Sequence, residues 1–231
     1  MQKIVILTGA GISAESGIST FRDADGLWEG HDVMAVASPQ GWENDQALVL
    51  DFYNQRRQQL KVVSPNAAHF ALAKLEEKFD VVVITQNVDN LHERAGSSRI
   101  IHLHGELNKV RSIGNSLLLY EWTDDLNTGD LCEQGYQLRP HIVWFGEMVP
   151  MLEPAIQACE KGDIFIIIGT SMQVYPAAGL ISYAKLGSSI YYIDPKPNIS
   201  YELSRRPNLQ VIEEKATIGV ESLVGTLLKL I

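Results

Sequence analysis

The start of the chain constrains its fold more than any other segment. An uninterrupted apolar run, Ile4–Leu7, leads into a Gly-x-Gly turn formed by Gly9 and Gly11. Such a run is typical of a parallel strand that is buried on both faces. The glycines allow a tight turn and close approach to a ligand, and the N-terminus of a following helix would present free N–H groups to an anion. The segment therefore predicts a site for the pyrophosphate of a dinucleotide.

Strand-like and helix-like segments alternate along much of the chain. The apolar runs are Ile4–Leu7, Val81–Thr85, His141–Phe145, Ile164–Ile168, Ile190–Ile193 and Leu209–Ile212. Helical patterns cover Asn66–Lys78, Glu153–Lys161, Pro176–Leu186 and Val220–Leu230. This alternation predicts an α/β fold with a Rossmann-like, doubly wound parallel sheet.

Two stretches interrupt the alternation. Residues 25–65 carry a helical pattern around Asp45–Leu60, and residues 106–140 are polar and turn-rich, with Gly114-Asn115 as a hairpin signal. We expect them to form a smaller lobe inserted in two segments, a helical module and a short β-ribbon. Residues 1–24, 66–105 and 141–231 would then form the dinucleotide-binding domain. A cleft between the lobes is the expected ligand site.

Composition argues against several classes of protein. The net charge of −9 disfavours nucleic acid or an anionic membrane as a partner. Two cysteines, Cys132 and Cys159, give no disulfide framework and indicate a reducing compartment. The apolar runs are too short to span a bilayer, and a strand at the N-terminus leaves no room for a signal peptide. We therefore expect a cytoplasmic protein.

Polar side chains follow the second apolar run. Gln86, Asn87 and Asp89 come directly after Val81–Thr85, and the carboxyl ends of strands in an open α/β sheet line the ligand crevice. These side chains could hold the hydroxyl and amide groups of a ligand. Alternatively, Asn87 or Asp89 could cap a helix N-terminus.

His102 and His104 lie two residues apart in a strand-like segment, so they share one face. They could be metal ligands or buried structural residues, or one of them could be a general base. A metal site needs more ligands than the neighbouring sequence offers, so no metal is expected here.

Five sequence blocks, spread over nearly the whole chain, resemble the sirtuins, the NAD-dependent protein-lysine deacylases. The blocks are Gly9–Ser13 with Gly17–Arg22, Thr85–His92, Leu103–Glu106, Arg139–Glu147 and Gly169–Ser171. They occur in the family's order, and the resemblance is nearest to bacterial members that also remove acidic acyl groups. It implies NAD as co-substrate, acylated protein lysines as substrates, and free lysine, nicotinamide and an O-acyl-ADP-ribose as products.

The resemblance also implies which residues contact NAD. They are Gly9, Ala10, Gly11, Ile12, Ser13, Ile18, Phe21, Arg22, Gln86, Asn87, Val88, Asp89, Gly169, Thr170, Ser171, Asp194 and Thr217. The first five would hold the pyrophosphate, Asp89 the nicotinamide carboxamide, and Phe21 would shield the ribose. Asp194 stands where the family usually has Asn, and its carboxylate can accept from ribose hydroxyls. Thr217 would lie near the adenine.

By the same resemblance, His104 and Asn87 are the catalytic residues. The acyl oxygen would displace nicotinamide, and His104 would then take a proton from a ribose hydroxyl as general base. The acyl-lysine peptide would pair as an added strand with the Val143–Glu147 segment. The substrate-binding residues in that segment would be Val143, Phe145, Gly146 and Glu147. His102 matches no essential position and is interpreted as structural.

Tyr53 and Arg56 lie at i and i+3 in the helical pattern of residues 45–60 and therefore share one face. A guanidinium beside a phenol can receive a carboxylate. The alternative is a solvated basic helix face that also includes Arg57 and Lys61. The resemblance favours the first interpretation, because Tyr-x-x-Arg at this place looks like the signature of sirtuins that remove succinyl and malonyl groups. Acetyl groups would also fit such a pocket.

The chain departs from most sirtuins in its cysteines. The family usually holds a structural zinc with two Cys-x-x-Cys pairs, but residues 106–145 contain only Cys132, with Ser112 near the place of a first cysteine. One thiolate cannot build a closed tetrahedral site, so we expect no zinc. The ribbon would instead be held by apolar packing and be the less stable part. Its packing residues would be Leu117, Leu118, Leu119, Tyr120, Trp122 and Leu138.

Three other functions fit parts of the pattern. An NAD-dependent protein ADP-ribosyltransferase would share the first chemical step. A non-catalytic module that binds acyl-lysine or NAD would not need the base His104 beside Asn87 and Asp89. A hydride-transferring dehydrogenase is disfavoured, because Ala14 stands where the third glycine of Gly-x-Gly-x-x-Gly would be. The sequence does not specify an oligomeric state.

Overall fold

The computed structural model describes residues 1–19 and 27–229. Its strands are β1 (Lys3–Thr8), β2 (Leu27–Trp28), β3 (His31–Asp32), β4 (Asp80–Thr85), β5 (Ile100–His102), β6 (Gly105–Ser112), β7 (Leu119–Glu121), β8 (Leu138–Ile142), β9 (Ile164–Ile168), β10 (Ser189–Ile193) and β11 (Leu209–Ile212). Its α-helices are α1 (Val33–Val36), α2 (Pro39–Asn44), α3 (Gln46–Val62), α4 (Ala67–Lys74), α5 (Leu91–Ala95), α6 (Leu152–Cys159), α7 (Tyr201–Ser204) and α8 (Ala216–Leu227). Short 3₁₀ helices cover Ala10–Ile12, Ala14–Ser16, Leu75–Glu77 and Ala177–Tyr183.

The main sheet has six strands in the order β11-β10-β9-β1-β4-β5, and all its pairs are parallel. The doubly wound sheet expected from the sequence is confirmed. From β1 the chain builds outward through β4 and β5, and it later returns to the other side of β1 to add β9, β10 and β11. The strand order therefore reverses between β1 and β9, and the carboxyl ends of these two strands border the crevice in which such sheets bind ligands.

Alternate residues of each central strand face opposite cores. Ile4 and Ile6 pack in the cluster that includes α4 and α8, whereas Val5 and Leu7 pack in the cluster that includes α6. Successive side chains in a strand point to opposite faces, so an apolar run without interruption is what a sheet covered on both sides requires. Because this packing holds the strands in position, it also fixes where the loops after β1, β4 and β9 begin.

A smaller antiparallel sheet, β7-β6-β8, lies outside the main sheet. The hairpin indicated by Gly114-Asn115 is confirmed, with Val110 opposite Tyr120 in the β6–β7 pair. A third core cluster joins this sheet to α1, α2 and α3 and includes Phe52 and Val110. The division into an NAD-binding domain and a lobe inserted in two segments stays a prediction.

One expected strand of the main sheet was wrong, and one strand of that sheet was missed. The run His141–Phe145 is not a strand of the main sheet, because β8 ends at Ile142 and pairs antiparallel with β6. Pro140 is accommodated there because β8 is an edge strand. The sixth strand of the main sheet is instead β5, whose three residues are too few to show a period.

Helical expectations were also corrected at two places. The turn after β1 continues into two short 3₁₀ helices rather than an α-helix, and the second ends at Gly17, whose φ is +95°. The pattern Pro176–Leu186 forms a 3₁₀ helix, Ala177–Tyr183. In the β-ribbon, Leu117 is 89% exposed and does not provide the packing expected of it. Leu138 is buried, as expected. Across residues 1–19 and 27–229, no helix combines the length and apolar character needed to cross a membrane.

Candidate active site

The loops after β1 and β9 pack directly on each other. Gly9 N–H donates to the Ile168 carbonyl at 3.0 Å, and Gly11 N–H donates to the Gly169 carbonyl at 2.8 Å. A Cβ on Gly11 would lie 2.5 Å from Gly169 Cα, which is too close for any side chain. Gly169 itself has a φ of +59°. The glycines are therefore required by contact between the two loops, which together form the floor of the crevice.

Gln86 ties this floor to the end of β4. Its backbone N–H donates to the Thr8 carbonyl at 2.9 Å, and its side-chain Nε2 donates to Thr170 Oγ1 at 3.0 Å. Residues from three separate blocks, all expected to contact NAD, thus meet at the carboxyl end of the sheet, because β1, β4 and β9 are neighbouring parallel strands.

Ser13 links the other two polar residues of the β4 loop. Its Oγ donates to Asp89 Oδ2 at 2.9 Å and accepts from Asn87 Nδ2 at 3.2 Å. Asp89 Oδ1 also accepts from the N–H of Leu91, the first residue of α5, at 3.0 Å, so the helix-capping alternative is present for Asp89 beside its bond to Ser13. Burial raises the pKa of Asp89, and these two hydrogen bonds oppose the rise.

His104 has a defined tautomer. Its Nδ1 lies 3.0 Å from the Gln86 carbonyl oxygen, which can only accept, so Nδ1 carries the proton and Nε2 keeps its lone pair. Burial lowers the pKa of His104, although the hydrogen bond to Gln86 opposes the change. A neutral imidazole with one free lone pair can act as a general base near pH 7.

The expectation that His102 and His104 share one face of a strand is wrong, because β5 ends at His102, and the two rings have different partners. Its Nε2 lies 2.6 Å from Glu93 Oε1, and its Nδ1 lies 3.3 Å from the Asn87 carbonyl. Burial lowers the pKa of His102, but Glu93, Glu106 and the Asn87 carbonyl together outweigh burial, so that the pKa is raised. Ligand atoms of Glu93, His102 and Glu106 lie within 4.8 Å of one another. However, Lys109 Nζ already lies 2.8 Å from Glu106, so the carboxylate has a cation of the protein as its partner.

Tyr53 and Arg56 lie on one face of α3, but they differ in solvent exposure. Tyr53 is fully buried, and its Oη accepts from Trp144 Nε1 at 3.0 Å. Arg56 is half-buried, with Cζ 4.3 Å from the centre of the Phe52 ring. Its Nε and Nη1 are buried and have no hydrogen-bond partner among the described residues. Burial lowers the pKa of Arg56 and raises that of Tyr53.

The solvated-face alternative is wrong for Arg57. This side chain is 1% exposed, and it donates from Nε to the Leu107 carbonyl at 3.0 Å and from Nη1 to Asn54 Oδ1 at 2.5 Å. Burial lowers its pKa to about 10. Arg57 joins α3 to the small sheet, whereas Lys61 is exposed beside Asp124 at 3.5 Å.

The Val143–Glu147 segment is bonded largely within the protein. Val143 N–H donates to the His104 carbonyl and Phe145 N–H to the Ala37 carbonyl, both at 2.9 Å. Glu147 accepts from Arg139 Nη1 at 2.7 Å and from Arg111 Nη2 at 3.1 Å. An added peptide strand would therefore pair with this segment mainly through its carbonyl groups, and Gly146 gives it a turn with a φ of +90°.

The remaining residues expected to contact NAD are spread over several elements. Ile18 and Val88 each pack against the third core cluster, and Ala10 and Ile12 lie in the first 3₁₀ helix. Asp194 directly follows β10 and accepts from Lys196 N–H at 2.8 Å, whereas the Thr217 N–H in α8 donates to Glu15 Oε2 at 3.1 Å. Phe21 and Arg22 lie outside the described residues.

Two buried residues that sequence reasoning missed support the site. Tyr192 Oη donates to the Thr170 carbonyl at 2.8 Å and accepts from Asn198 N–H at 3.1 Å, and Asn198 Nδ2 donates to the Ser171 carbonyl at 3.1 Å. Trp144 supports Tyr53, as described above. Trp144 could have been identified from the sequence, because it is an aromatic residue inside one of the five blocks. Nothing in the sequence distinguishes Tyr192 from the other apolar positions of its strand.

Comparison with known proteins gives consistent matches. The model of the Sir2 family matches residues 9–176. An NAD-dependent protein deacylase of Helicobacter pylori is 58% identical over 230 residues, covering 100% of this chain and 99% of that protein. One from Bacteroides thetaiotaomicron is 55% identical, covering 96% and 97%. Among solved structures, a Sir2 homologue in complex with NAD superposes with a TM-score of 0.88 at 40% identity, covering 99% of this chain and 90% of that one. A Sir2 protein bound to acetylated peptide gives 0.79 at 27% identity, covering 96% and 92%.

Proposed function

Because the chain belongs to the Sir2 family and is an NAD-dependent protein deacylase, we propose that it removes succinyl and malonyl groups from protein lysines, and acetyl groups as well. Nicotinamide and an O-acyl-ADP-ribose would be the other products. One observation carries the acidic preference: Arg56 has two buried guanidinium nitrogens without a partner in the described part of the chain.

An unpaired buried N–H group of a charged side chain is unfavourable, because it has lost water and gained no acceptor. A carboxylate at the end of an acyl chain would supply that acceptor, and a guanidinium can bind it in a bidentate manner. Tyr53, at i−3 on the same helix face, retains its hydroxyl proton because burial raises its pKa. An acetyl group offers neither residue a partner, so it would gain nothing from them.

The residues at the strand ends fit NAD. The crevice lies at the reversal of strand order, and Asn90 Oδ1 is a buried acceptor with no partner within residues 1–19 and 27–229, which an amide N–H of a ligand could satisfy. NAD would supply the ribose carbon at which the acyl oxygen displaces nicotinamide. Gly9–Ser13 and Gly169–Ser171 would bind its phosphates, and Ser13, Asn87 and Asp89 would form a polar wall beside them.

The proton transfer is assigned to His104. Nε2 of this ring is the unprotonated atom, because Nδ1 donates to Gln86. We propose that Nε2 accepts the proton of a ribose hydroxyl as that hydroxyl attacks the acyl carbon, and that Asn87 helps to orient the reacting groups. The Gln86 carbonyl holds the ring in place and stabilises the imidazolium that forms.

The proposal also covers the protein substrates, the absence of zinc and the cellular location. Its substrates would be acylated proteins, with the peptide lying along Val143–Glu147. We propose that the β-ribbon holds no zinc, since its single cysteine, Cys132, donates its Sγ–H to Ser112 Oγ at 3.2 Å. Both cysteines are buried as free thiols, which is in keeping with a reducing, cytoplasmic location.

A panel of acylated peptides with NAD tests the proposal. One peptide would carry acetyl-, malonyl-, succinyl- or succinamoyl-lysine, the last being the neutral amide isostere of succinyl-lysine. We expect nicotinamide release with all acidic acyl groups and a lower kcat/KM for succinamoyl than for succinyl. Equal rates on the two isosteres would contradict an arginine receptor. Mass spectrometry would separate deacylated peptide from an ADP-ribosylated one, which would favour the alternative activity.

A further inference from the structure

A buried hydrogen bond joins Trp144 to Tyr53 across 91 residues of sequence, with Nε1 and Oη 3.0 Å apart. Tyr53 is 0% exposed and Trp144 is 2% exposed. An indole N–H can donate but cannot accept. The Tyr53 oxygen therefore accepts this bond, and the single proton of its hydroxyl must point elsewhere.

The Tyr53 hydroxyl proton has no acceptor in the structure as described. Trp144 is the one hydrogen-bond partner of Tyr53 Oη within residues 1–19 and 27–229. Burial raises the pKa of Tyr53, so the group remains a donor at neutral pH. A buried O–H without an acceptor is costly. A carboxylate that binds Arg56, one helical turn away, would accept from this hydroxyl.

Trp144 is itself held firmly in its orientation. Arg139 Cζ stacks 3.3 Å from the centre of the Trp144 ring, and the Trp42 ring lies 5.7 Å away on centroids. Glu147 anchors both the side chain of Arg139, at 2.7 Å, and the backbone N–H of Trp144, at 2.8 Å. The indole therefore cannot turn away from Tyr53 without breaking this cluster. Glu147, expected from the sequence to bind substrate, acts here as an anchor.

We propose that Trp144 is a positioning residue that determines substrate specificity. Because its N–H donates to the Tyr53 oxygen, the Tyr53 hydroxyl proton is directed elsewhere, towards the carboxylate of an acidic acyl group. The inference rests on the proposed function of Tyr53 and Arg56. A donor that also accepts is a stronger donor, because hydrogen bonds in a chain polarise one another. Without the indole N–H, the hydroxyl can rotate, and part of its orientation is lost before substrate binds.

A double-mutant cycle tests the assignment. The kcat and KM of the wild type, Trp144→Phe, Tyr53→Phe and the double variant would be measured on succinyl-lysine and acetyl-lysine peptides. We expect Trp144→Phe to lower kcat/KM for succinyl-lysine about 2- to 12-fold, the equivalent of one neutral hydrogen bond, mainly through KM. The loss on acetyl-lysine should be much smaller. In the Tyr53→Phe background the same change should add almost nothing, because the hydroxyl through which it acts is gone.

Trp122→Phe is the matched control. It removes another indole that packs against the same core cluster, one whose Nε1 donates to the Asp125 carbonyl at 3.3 Å, and it leaves the bond between Trp144 and Tyr53 in place. We expect it to affect both substrates to the same extent. If Trp144→Phe also reduced both equally, or if its effect were fully additive with Tyr53→Phe, the positioning role would be overturned.

Two further measurements keep the test decisive. If Trp144→Phe does not fold, β-(3-benzothienyl)alanine at position 144 keeps the shape of the indole and removes only the N–H, and the same selective loss is expected. The Arg56→Met variant separates this inference from the proposed function. A selective loss of succinyl-lysine activity in Arg56→Met without one at position 144 would overturn the inference alone. No selective loss in Arg56→Met would overturn the acidic preference itself.

Discussion

The two halves of the candidate site differ in how their polar groups are satisfied. On the NAD side, Ser13, Asn87 and Asp89 bond to one another, and Gln86 bonds to Thr170. On the acyl side, Arg56 keeps two buried nitrogens without a partner in the described chain. The first region is largely bonded within the protein, with Asn90 Oδ1 as the exception among the groups discussed above, so it needs little rearrangement to bind its ligand. The second is incomplete until a ligand arrives, and it is there that an anionic group gains most.

The comparison predicts that substitutions on the NAD side lower activity on every acyl-lysine substrate. Substitutions on the acyl side should lower activity mainly on acidic acyl groups. The largest effect is expected for His104→Tyr. Loss of a general base costs about 10²- to 10⁴-fold in rate, and it should appear equally with succinyl- and acetyl-lysine peptides, measured as nicotinamide release. NAD binding, followed by calorimetry, should remain. Turnover near the wild-type rate would remove His104 from the role of base.

Arg56→Met should instead divide the substrates. It removes charged hydrogen bonds worth about 1.5–3 kcal/mol, so kcat/KM for succinyl-lysine should fall by about 10- to 100-fold, and much less for acetyl-lysine. Lys61→Met is a control on the same helix, because Lys61 is exposed and lies beside Asp124, away from the guanidinium of Arg56. A loss of equal size on both peptides would show that Arg56 supports the structure rather than binding the carboxylate.

Gly11→Ala tests whether the floor is fixed by contact between its loops. The new Cβ would lie 2.5 Å from Gly169 Cα, and forcing an atom into a packed site costs about 1–3 kcal/mol. We expect a lower free energy of unfolding in urea and weaker NAD binding. Gly225→Ala is the matched control, since a Cβ on Gly225 in α8 would meet no described atom within 4 Å beyond the backbone of its own helix, and alanine there should be neutral or stabilising. Equal effects of the two substitutions would contradict the packing argument.

Acid should lower stability rather than turnover, and this effect should arise on the NAD side. His69 is 0% exposed and its ring lies 5.0 Å from that of His92, which contacts Thr8 Oγ1 from Nε2 at 3.1 Å. Burial lowers the pKa of His69 to about 4 and that of His92 well below its usual value. The unfolded chain therefore binds more protons, so stability is full above about pH 6.5 and falls as the pH drops towards 4.

From His69 alone, the free energy of unfolding should fall by about 2 kcal/mol between pH 7 and pH 5. Urea titrations at pH 7, 6 and 5 would measure it, with His69→Gln as the comparison because glutamine does not titrate. The variant should lose less stability over this range than the wild type. Parallel pH profiles would show that His69 is not held neutral by burial.

Much of the fold on the NAD side followed from local sequence. The bounds of β9 and β11 agree with the apolar runs Ile164–Ile168 and Leu209–Ile212, and β1 and β4 each gain one or two residues. β1, β4 and β9 are buried over nearly their whole length, and an apolar run reports that burial wherever the strand lies. β11 is an edge strand and is partly exposed. The hairpin at Gly114-Asn115 was equally local, because a turn is specified by its own residues. In contrast, the places of β5 and β8 in the sheets depend on which strand each pairs with, and this pairing is not specified by local sequence.

The sequence by itself determined the central buried strands, the glycine turn and the set of residues available for chemistry, since each depends on a local apolar pattern or on the conformational freedom of a few neighbouring residues. Only the tertiary structure decided that Arg57 is buried and bonded to the Leu107 carbonyl while Arg56 is half-buried with two nitrogens that have no partner among the described residues. It also decided that Glu147 anchors Arg139 and that Trp144 meets Tyr53 across the chain. Adjacent arginines in one helix look alike in sequence. What differs is the surface packed against each, and that surface is supplied by residues far away along the chain.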